Sequence, residues 1–181
     1  MVKRRDLLRP LLLLFGFLIW SGISDLGAQE ETAEEKQYRE DYDRVQKMVA
    51  LPDPIKRADQ LILFLKERPT SKVAEYAQGN YLVVMEDLLK KEDFAQLMKQ
   101  SERFVKLRPR VGEGYYFYGS ALRNANRNDE AMVALAKCSL IKNAAAGRAR
   151  KYLEVIYKSQ NKGSLIGLDK VFKKAQAELG K

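Results

Sequence analysis

The stretch YYFYGSALRNANRNDEAMVALAKCSL, residues 115–140, decides the fold, because it holds two apolar helical faces with a polar turn between them. The first face recurs at spacings of three, one and three residues and consists of Tyr115, Tyr118, Gly119 and Leu122. After the turn formers NANRND, the second face recurs at four and three residues and consists of Ala131, Leu135 and Cys138. Small residues on both faces allow two helices to cross closely. The stretch therefore predicts a helix–turn–helix hairpin with these seven residues in its core.

The same plan recurs upstream, where proline closes two further hairpins. FLKERP ends at Pro69 and FVKLRP ends at Pro109, each with basic residues in its last turn. Basic residues suit a helix C-terminus, and proline stops a helix. An earlier helical stretch precedes each of them, across a break at LPDP (51–54) or KKED (90–93). The repeating unit is thus helix, turn, helix, proline.

This pattern resembles the tetratricopeptide repeat, whose 34-residue unit reads W-x2-L-G-x2-Y and then A-x3-F, with a proline near its end. Here Tyr115 stands for the Trp, Leu122 for the Tyr and Leu135 for the Phe, while Asn143 stands where the closing proline would be. The resemblance implies an all-α fold, a right-handed solenoid of about three to four hairpins. Its approximate repeats are 34–71, 72–111, 112–145 and 146–181, with a 40-residue spacing from the first to the second and a polar cap as the last helix.

The resemblance also implies a binding surface, because in this family the first helices of the repeats face a concave groove that holds a peptide or helix of a partner. Carried over to this chain, the groove residues are Tyr116, Ser120, Arg123 and Asn124 in the third repeat, and Arg150, Glu154, Tyr157 and Lys158 in the fourth. Arginine can bind a carboxylate through two hydrogen bonds, so this mixture suits an acidic peptide. A solvated charged face, with Tyr116 an ordinary exposed tyrosine, is the alternative interpretation.

The first 28 residues have the pattern of a secretory signal peptide. Four basic residues within positions 3–9 precede an apolar run over residues 11–20, and small residues follow. Cleavage after Ala28 leaves a helical repeat domain over residues 29–181, and cleavage after Ser24 is the other option. The apolar run is shorter than the roughly 20 residues that a membrane-spanning helix needs. We therefore expect a periplasmic or secreted protein, with an uncleaved leader that anchors the chain in the inner membrane as the alternative.

Composition restricts the chemistry. The chain has no histidine and one cysteine, so the commonest general base and any intramolecular disulfide are absent. We expect no catalytic residue, metal or cofactor, and we expect Cys138 to be an inert buried thiol. The net charge is +9 for the whole chain and +7 without the leader, which has four basic and two acidic residues. A moderately basic exported protein favours acidic partners, and nucleic acid is not expected, because the basic residues do not form one run.

These observations favour a non-enzymatic scaffold or adaptor of the cell envelope, which binds a protein or peptide segment in the groove. The alternative is a basic structural protein of the envelope, whose Lys170, Lys173 and Lys174 lie against anionic lipid or a cell-wall polymer. A hydrolase that uses two carboxylates is a third interpretation, and it requires two acids in close approach within a cleft.

Overall fold

The computed structural model describes residues 31–180, which fold as eight α-helices without a β-strand. The helices are α1 (Ala33–Val49), α2 (Pro54–Glu67), α3 (Ala74–Lys90), α4 (Phe94–Leu107), α5 (Gly112–Asn124), α6 (Asn128–Leu140), α7 (Ala146–Gln160) and α8 (Leu168–Leu179). The prediction of an all-α fold is confirmed for this part of the chain. A compact unit begins at Tyr38 and contains the rest of α1 and all of α2–α8, whereas α1 up to Gln37 belongs to a separate unit. The predicted signal peptide, residues 1–28, lies outside the described residues.

The helix boundaries follow from local signals in the sequence. Asp53 precedes α2, and its carboxylate accepts hydrogen bonds from the amides of Ile55 at 2.8 Å and Lys56 at 3.1 Å. Asp93 precedes α4 and accepts from the amide of Gln96 at 3.2 Å. Both carboxylates satisfy amides that have no partner inside the first helical turn. The ends of α2 and α4 lie two residues before a proline, as the proline pattern predicts.

From α2 onward, the principal contacts join helices that are one or two places apart in the chain. They pair α2 with α3 and α4, α3 with α4 and α5, α4 with α5, α5 with α6 and α7, and α6 with α7 and α8. The first residues of α4 and α6, Phe94 and Asn128, are 34 positions apart, and those of α2 and α4, Pro54 and Phe94, are 40 apart.

The apolar core contains six of the seven residues predicted for the central hairpin. The buried six are Tyr115, Gly119, Leu122, Ala131, Leu135 and Cys138. At Gly119 an added Cβ would lie 2.8 Å from Cγ of Leu135, so the missing side chain is what allows α5 to approach α6. Tyr118 differs from the prediction, because it is half-buried and lines a hollow of about 330 Å³ beside α6 and α8. Beside this hollow, Tyr118 can bury its ring against the neighbouring helices while its hydroxyl stays hydrated.

A polar cluster connects α2, α3 and α4, buried at Tyr81 and Gln100 and half-exposed at Asp59 and Arg103. Tyr81 and Gln100 are fully buried, and the Tyr81 hydroxyl donates to the side-chain oxygen of Gln100 at 2.8 Å. Gln100 in turn donates to Asp59 at 3.3 Å, and Arg103 donates to both Asp59 and Gln100. Buried polar groups need such partners, because an unpaired one loses its hydration without compensation. We call these four residues the polar strap.

Candidate functional site

A groove of about 520 Å³ opens between α5 and α7 and reaches the end of α3 and the start of α4. Its α5 wall consists of Tyr116, Ser120, Arg123 and Asn124, and its α7 wall consists of Tyr152, Val155, Ile156 and Ser159. Leu89, Phe94 and Asn126 line the remainder. This volume falls in the range that ligand-binding clefts of proteins occupy. We call it the α5–α7 groove.

The α5 wall brings together the four groove residues that the sequence predicts for the third repeat. Tyr116 is half-buried, and the guanidinium carbon of Arg148 lies 4.9 Å from the centre of its ring. Ser120 is nearly buried, and its hydroxyl donates to the carbonyl of Tyr116 at 2.8 Å, so its proton is committed to the helix. Arg123 is half-buried, while Asn124 is exposed at the end of the helix. The ring of Tyr116 and the guanidinium of Arg123 are therefore the strongest binding groups of this wall.

The α7 wall differs from the prediction, since none of Arg150, Glu154, Tyr157 and Lys158 lines the groove. Arg150 pairs with Glu154 at 3.2 Å and lies 5.2 Å from the centre of the Phe172 ring on α8. Tyr157 is buried, and its hydroxyl donates to the carbonyl of Ile166 at 2.7 Å. Lys158 is exposed outside the groove. These four residues are therefore removed from the candidate site.

The loop between α7 and α8 accounts for the burial of Tyr157. The sequence prediction adds 34 to the groove positions of α5 to obtain those of α7. This offset places Tyr157 at the surface. The loop instead returns to α7 through the bond between Tyr157 and Ile166. Gly167 follows with a φ of +91°, and a Cβ there would lie 2.8 Å from the Tyr157 hydroxyl, so glycine suits this position on both counts. Tyr157 is thus covered by its own loop, and another face of α7 lines the groove.

Sequence reasoning missed Tyr152, Val155 and Ser159 as groove residues. Their spacing of three and four residues marks one face of α7. The same helix has a second face at the same period, and the two faces cannot be told apart without the position of the following loop. Val155 follows Glu154 and precedes Ile156, and in the structure it is 63% exposed and contributes apolar surface to the groove.

The electrostatics of the groove favour an anionic ligand. None of the eleven described residues that line it is acidic. Arg123 donates to the amide oxygen of Asn128 at 3.1 Å and has no carboxylate partner within residues 31–180. Arg148 adds a second cation beside Tyr116. Burial raises the pKa of Tyr152, with the nearby Arg123 opposing this in part, so Tyr152 stays a protonated hydrogen-bond donor at neutral pH.

The lysines of the alternative function lie on α8 and are partly neutralised. Lys173 pairs with Asp169 at 3.2 Å, and Lys174 lines the hollow that also contains Glu130 and Glu178. Lys170 is exposed. The helix therefore does not present an uninterrupted cationic face to a membrane or polymer. Within residues 31–180, no helix has both the length and the apolar character needed to cross a membrane.

Cys138 lies in the apolar cluster formed by α5–α8. Burial raises the pKa of its thiol to about 11, and its sulfur lies 3.7 Å from the side-chain oxygen of Asn143. A thiol that stays protonated at neutral pH is a poor nucleophile. In the part of the chain that the structure describes, no cluster of three or more Asp, Glu, Cys or His residues could hold a metal ion.

Comparison with protein-family models, curated proteins and solved structures finds no match for this chain.

Proposed function

We propose that this protein is a tetratricopeptide-like repeat module that acts as an adaptor and binds a carboxylate-bearing segment of a partner in the α5–α7 groove. Arg123 binds the carboxylate, while Tyr116 and Tyr152 contact the apolar parts of the segment. The module positions its partner without chemistry of its own. The observation that carries this proposal is an open groove with aromatic walls, whose arginine has no carboxylate partner in the described residues.

Three features support the assignment to a repeat of this kind. The starts of α4 and α6 lie 34 positions apart, which is the repeat length of the family. The principal helix contacts reach one or two helices along the chain, as in a stack of hairpins. Gly119 lies where α5 packs tightly on α6, against Leu135 and the carbonyl of Ala131.

Exposed charged residues and buried aromatic or arginine residues contribute differently to binding. An exposed ion pair contributes only about 0.2 to 1 kcal/mol, so a charge at the rim gives selectivity more than affinity. Buried aromatic and arginine side chains carry most of the affinity in protein interfaces. Tyr116 and Arg123 are both half-buried in the groove wall, so they are the residues whose truncation should weaken binding most.

A peptide-binding experiment tests the proposal. The protein is titrated with a panel of fluorescent peptides in which Asp and Glu are either kept or replaced by Asn and Gln. We expect the acidic peptides to bind more tightly than their amide counterparts. Arg123→Gln should weaken binding about tenfold, which corresponds to about 1.4 kcal/mol.

Arg110→Gln is the matched control, because Arg110 is exposed in the turn after α4 and does not line the groove. It removes the same charge and should leave the affinity within about twofold, since distant exposed charges are screened by salt. Equal losses in the two variants would indicate a general attraction to a basic protein and would refute the groove.

We also propose that the adaptor works outside the cytoplasm after removal of its leader. The support is the basic and then apolar pattern of residues 1–28. Intact mass measurement of the protein from the periplasmic fraction should give a chain that begins after Ala28. Recovery of the full-length chain in the inner membrane would favour the anchored alternative.

A further inference from the structure

Three half-exposed tyrosines form a row on α1 and α3. The rings of Tyr38 and Tyr42 have centres 6.1 Å apart, and those of Tyr42 and Tyr76 have centres 5.8 Å apart, with interplanar angles of 21° and 27°. These are the distances of offset-stacked rings. Their exposed fractions are 45%, 38% and 39%, so each ring keeps a large accessible surface although it stacks on a neighbour. We call Tyr38, Tyr42 and Tyr76 the tyrosine row.

One glutamine holds the row together. The side-chain nitrogen of Gln46 donates to the hydroxyl oxygen of Tyr42 at 2.9 Å and to that of Tyr76 at 3.0 Å. The amide of Asn80 donates to the carbonyl of Tyr76 at 2.9 Å. Gln46 thereby connects α1 with α3 through the hydroxyls of Tyr42 and Tyr76, and it orders these two rings before a partner binds. Such preorganisation reduces the entropy that binding costs.

In this hydrogen-bond pattern, the hydroxyl protons of Tyr42 and Tyr76 remain available to a ligand. Each of the two tyrosine hydroxyl oxygens accepts from Gln46, and each hydroxyl keeps its own proton for an outside acceptor. Both side-chain N–H groups of Gln46 are already committed within the protein. The row thus combines aromatic surface with outward hydroxyl donors.

We propose that the tyrosine row binds a proline-rich segment of a partner protein in the polyproline II conformation. Proline has no backbone N–H, so such a segment is mainly an acceptor, and its carbonyls have no partner within the polyproline helix. These carbonyls accept from the hydroxyls of Tyr42 and Tyr76, while the pyrrolidine rings pack on the parts of the tyrosine rings that stay accessible. Aromatic-lined surfaces recognise proline-rich segments by this combination elsewhere in proteins.

This site is separate from the α5–α7 groove, since none of the three tyrosines lines that groove. The inference does not depend on the function proposed above, and the two can fail independently. Arg123→Gln should leave binding at the tyrosine row unchanged.

The test titrates the full chain with an array of fluorescent proline-rich peptides, with counterparts in which alanine replaces proline, and with cell-wall oligosaccharides. We expect members of the proline array to bind at least about tenfold more tightly than their alanine counterparts. Tyr42→Ala should weaken this binding about tenfold, because it removes the central ring of the row. Tyr76→Phe should weaken it about threefold, because it keeps the ring but removes the hydroxyl that donates to the peptide and accepts from Gln46.

Tyr118→Phe is the control for the loss of a hydroxyl, because Tyr118 lies on α5 in a different hollow. It should leave the affinity unchanged, and circular dichroism with thermal unfolding should show that every variant is folded. Since Tyr76→Phe keeps the packing, its result is interpretable even if Tyr42→Ala fails to fold. Failure of all proline peptides to bind, equal affinity for the alanine peptides, or binding of oligosaccharides instead would overturn the proposal.

Discussion

Gly119 sets the separation of α5 and α6. A Cβ at this position would lie 2.8 Å from Cγ of Leu135 and 3.2 Å from the carbonyl oxygen of Ala131. Gly119→Ala should therefore destabilise the protein by about 1 to 3 kcal/mol, because the fully buried Leu135 must shift to make room. Urea unfolding followed by circular dichroism measures this change.

Gly79→Ala is the matched control on an exposed face of α3, where an added Cβ meets nothing within 4 Å. It should stabilise the protein by about 0.5 to 1 kcal/mol, because alanine loses less backbone entropy than glycine in a helix. A stabilising effect of Gly119→Ala would contradict the close helix contact.

Cys138 should be chemically silent while the protein is folded. Burial raises the pKa of its thiol to about 11, so at pH 8 the thiol is protonated as well as shielded. Reaction with an aromatic disulfide reagent at pH 8 should be at least about a hundredfold slower in buffer than in 8 M urea, since only the thiolate attacks. Rapid labelling of the folded protein would show that the cluster around Cys138 opens readily.

At the scale of elements, the sequence predicts the helices well and the orientation of α7 poorly. The proline pattern and the 3.6-residue period locate the ends of α2 and α4 and most of the central core, because these signals lie within one element. The groove face of α7 depends on where residues 161–167 pack against Tyr157, which is a contact between elements. The tyrosines at 152 and 157 look alike in the sequence, yet one lines the groove and the other is buried under the loop.

The polar strap was also beyond sequence reasoning, because Gln100 resembles a residue of a solvated helix face. Burial acts to raise the pKa of Asp59, but hydrogen bonds from Arg103 and Gln100 lower it by more, so the net shift is downward from 3.8. A depressed carboxyl pKa contributes stability above the unfolded pKa, and that stability is lost as the pH falls through the folded pKa. Asp59→Asn should therefore reduce the loss of stability between pH 7 and pH 3.

Urea midpoints at the two pH values measure this effect. Asp43→Asn is the control, because Asp43 is an exposed carboxylate on α1 outside the strap. An unchanged pH dependence in Asp59→Asn would mean that the strap does not stabilise the charged carboxylate.

At the scale of the molecule, each helix from α2 onward packs mainly on helices one or two places away in the chain. We therefore expect a destabilising substitution to affect mainly the helices around it. Leu153 is fully buried on α7, and α7 packs on α5 and α6. Leu153→Ala should cost about 2 to 5 kcal/mol, and the loss should fall mainly on the C-terminal helices α7 and α8. Hydrogen exchange should show lost amide protection in α7 and α8 while α2–α4 keep theirs.

Leu63→Ala provides the reference for this measurement, because Leu63 is 42% exposed on α2 and its truncation should change protection little. A uniform loss of protection over all helices in Leu153→Ala would indicate one cooperative globule and would contradict a stack of hairpins.

The most direct test of the central claim, that the α5–α7 groove binds an acidic segment, is site-specific photocrosslinking. A benzophenone amino acid replaces either Val155, which lines the groove, or Leu63, which is exposed on α2, and the protein is irradiated with the tightest acidic peptide. At a peptide concentration below the dissociation constant, we expect an adduct from position 155 and none from position 63, with the yield about tenfold lower in Arg123→Gln. Equal adducts from both positions, or an unchanged yield in Arg123→Gln, would contradict binding in the groove.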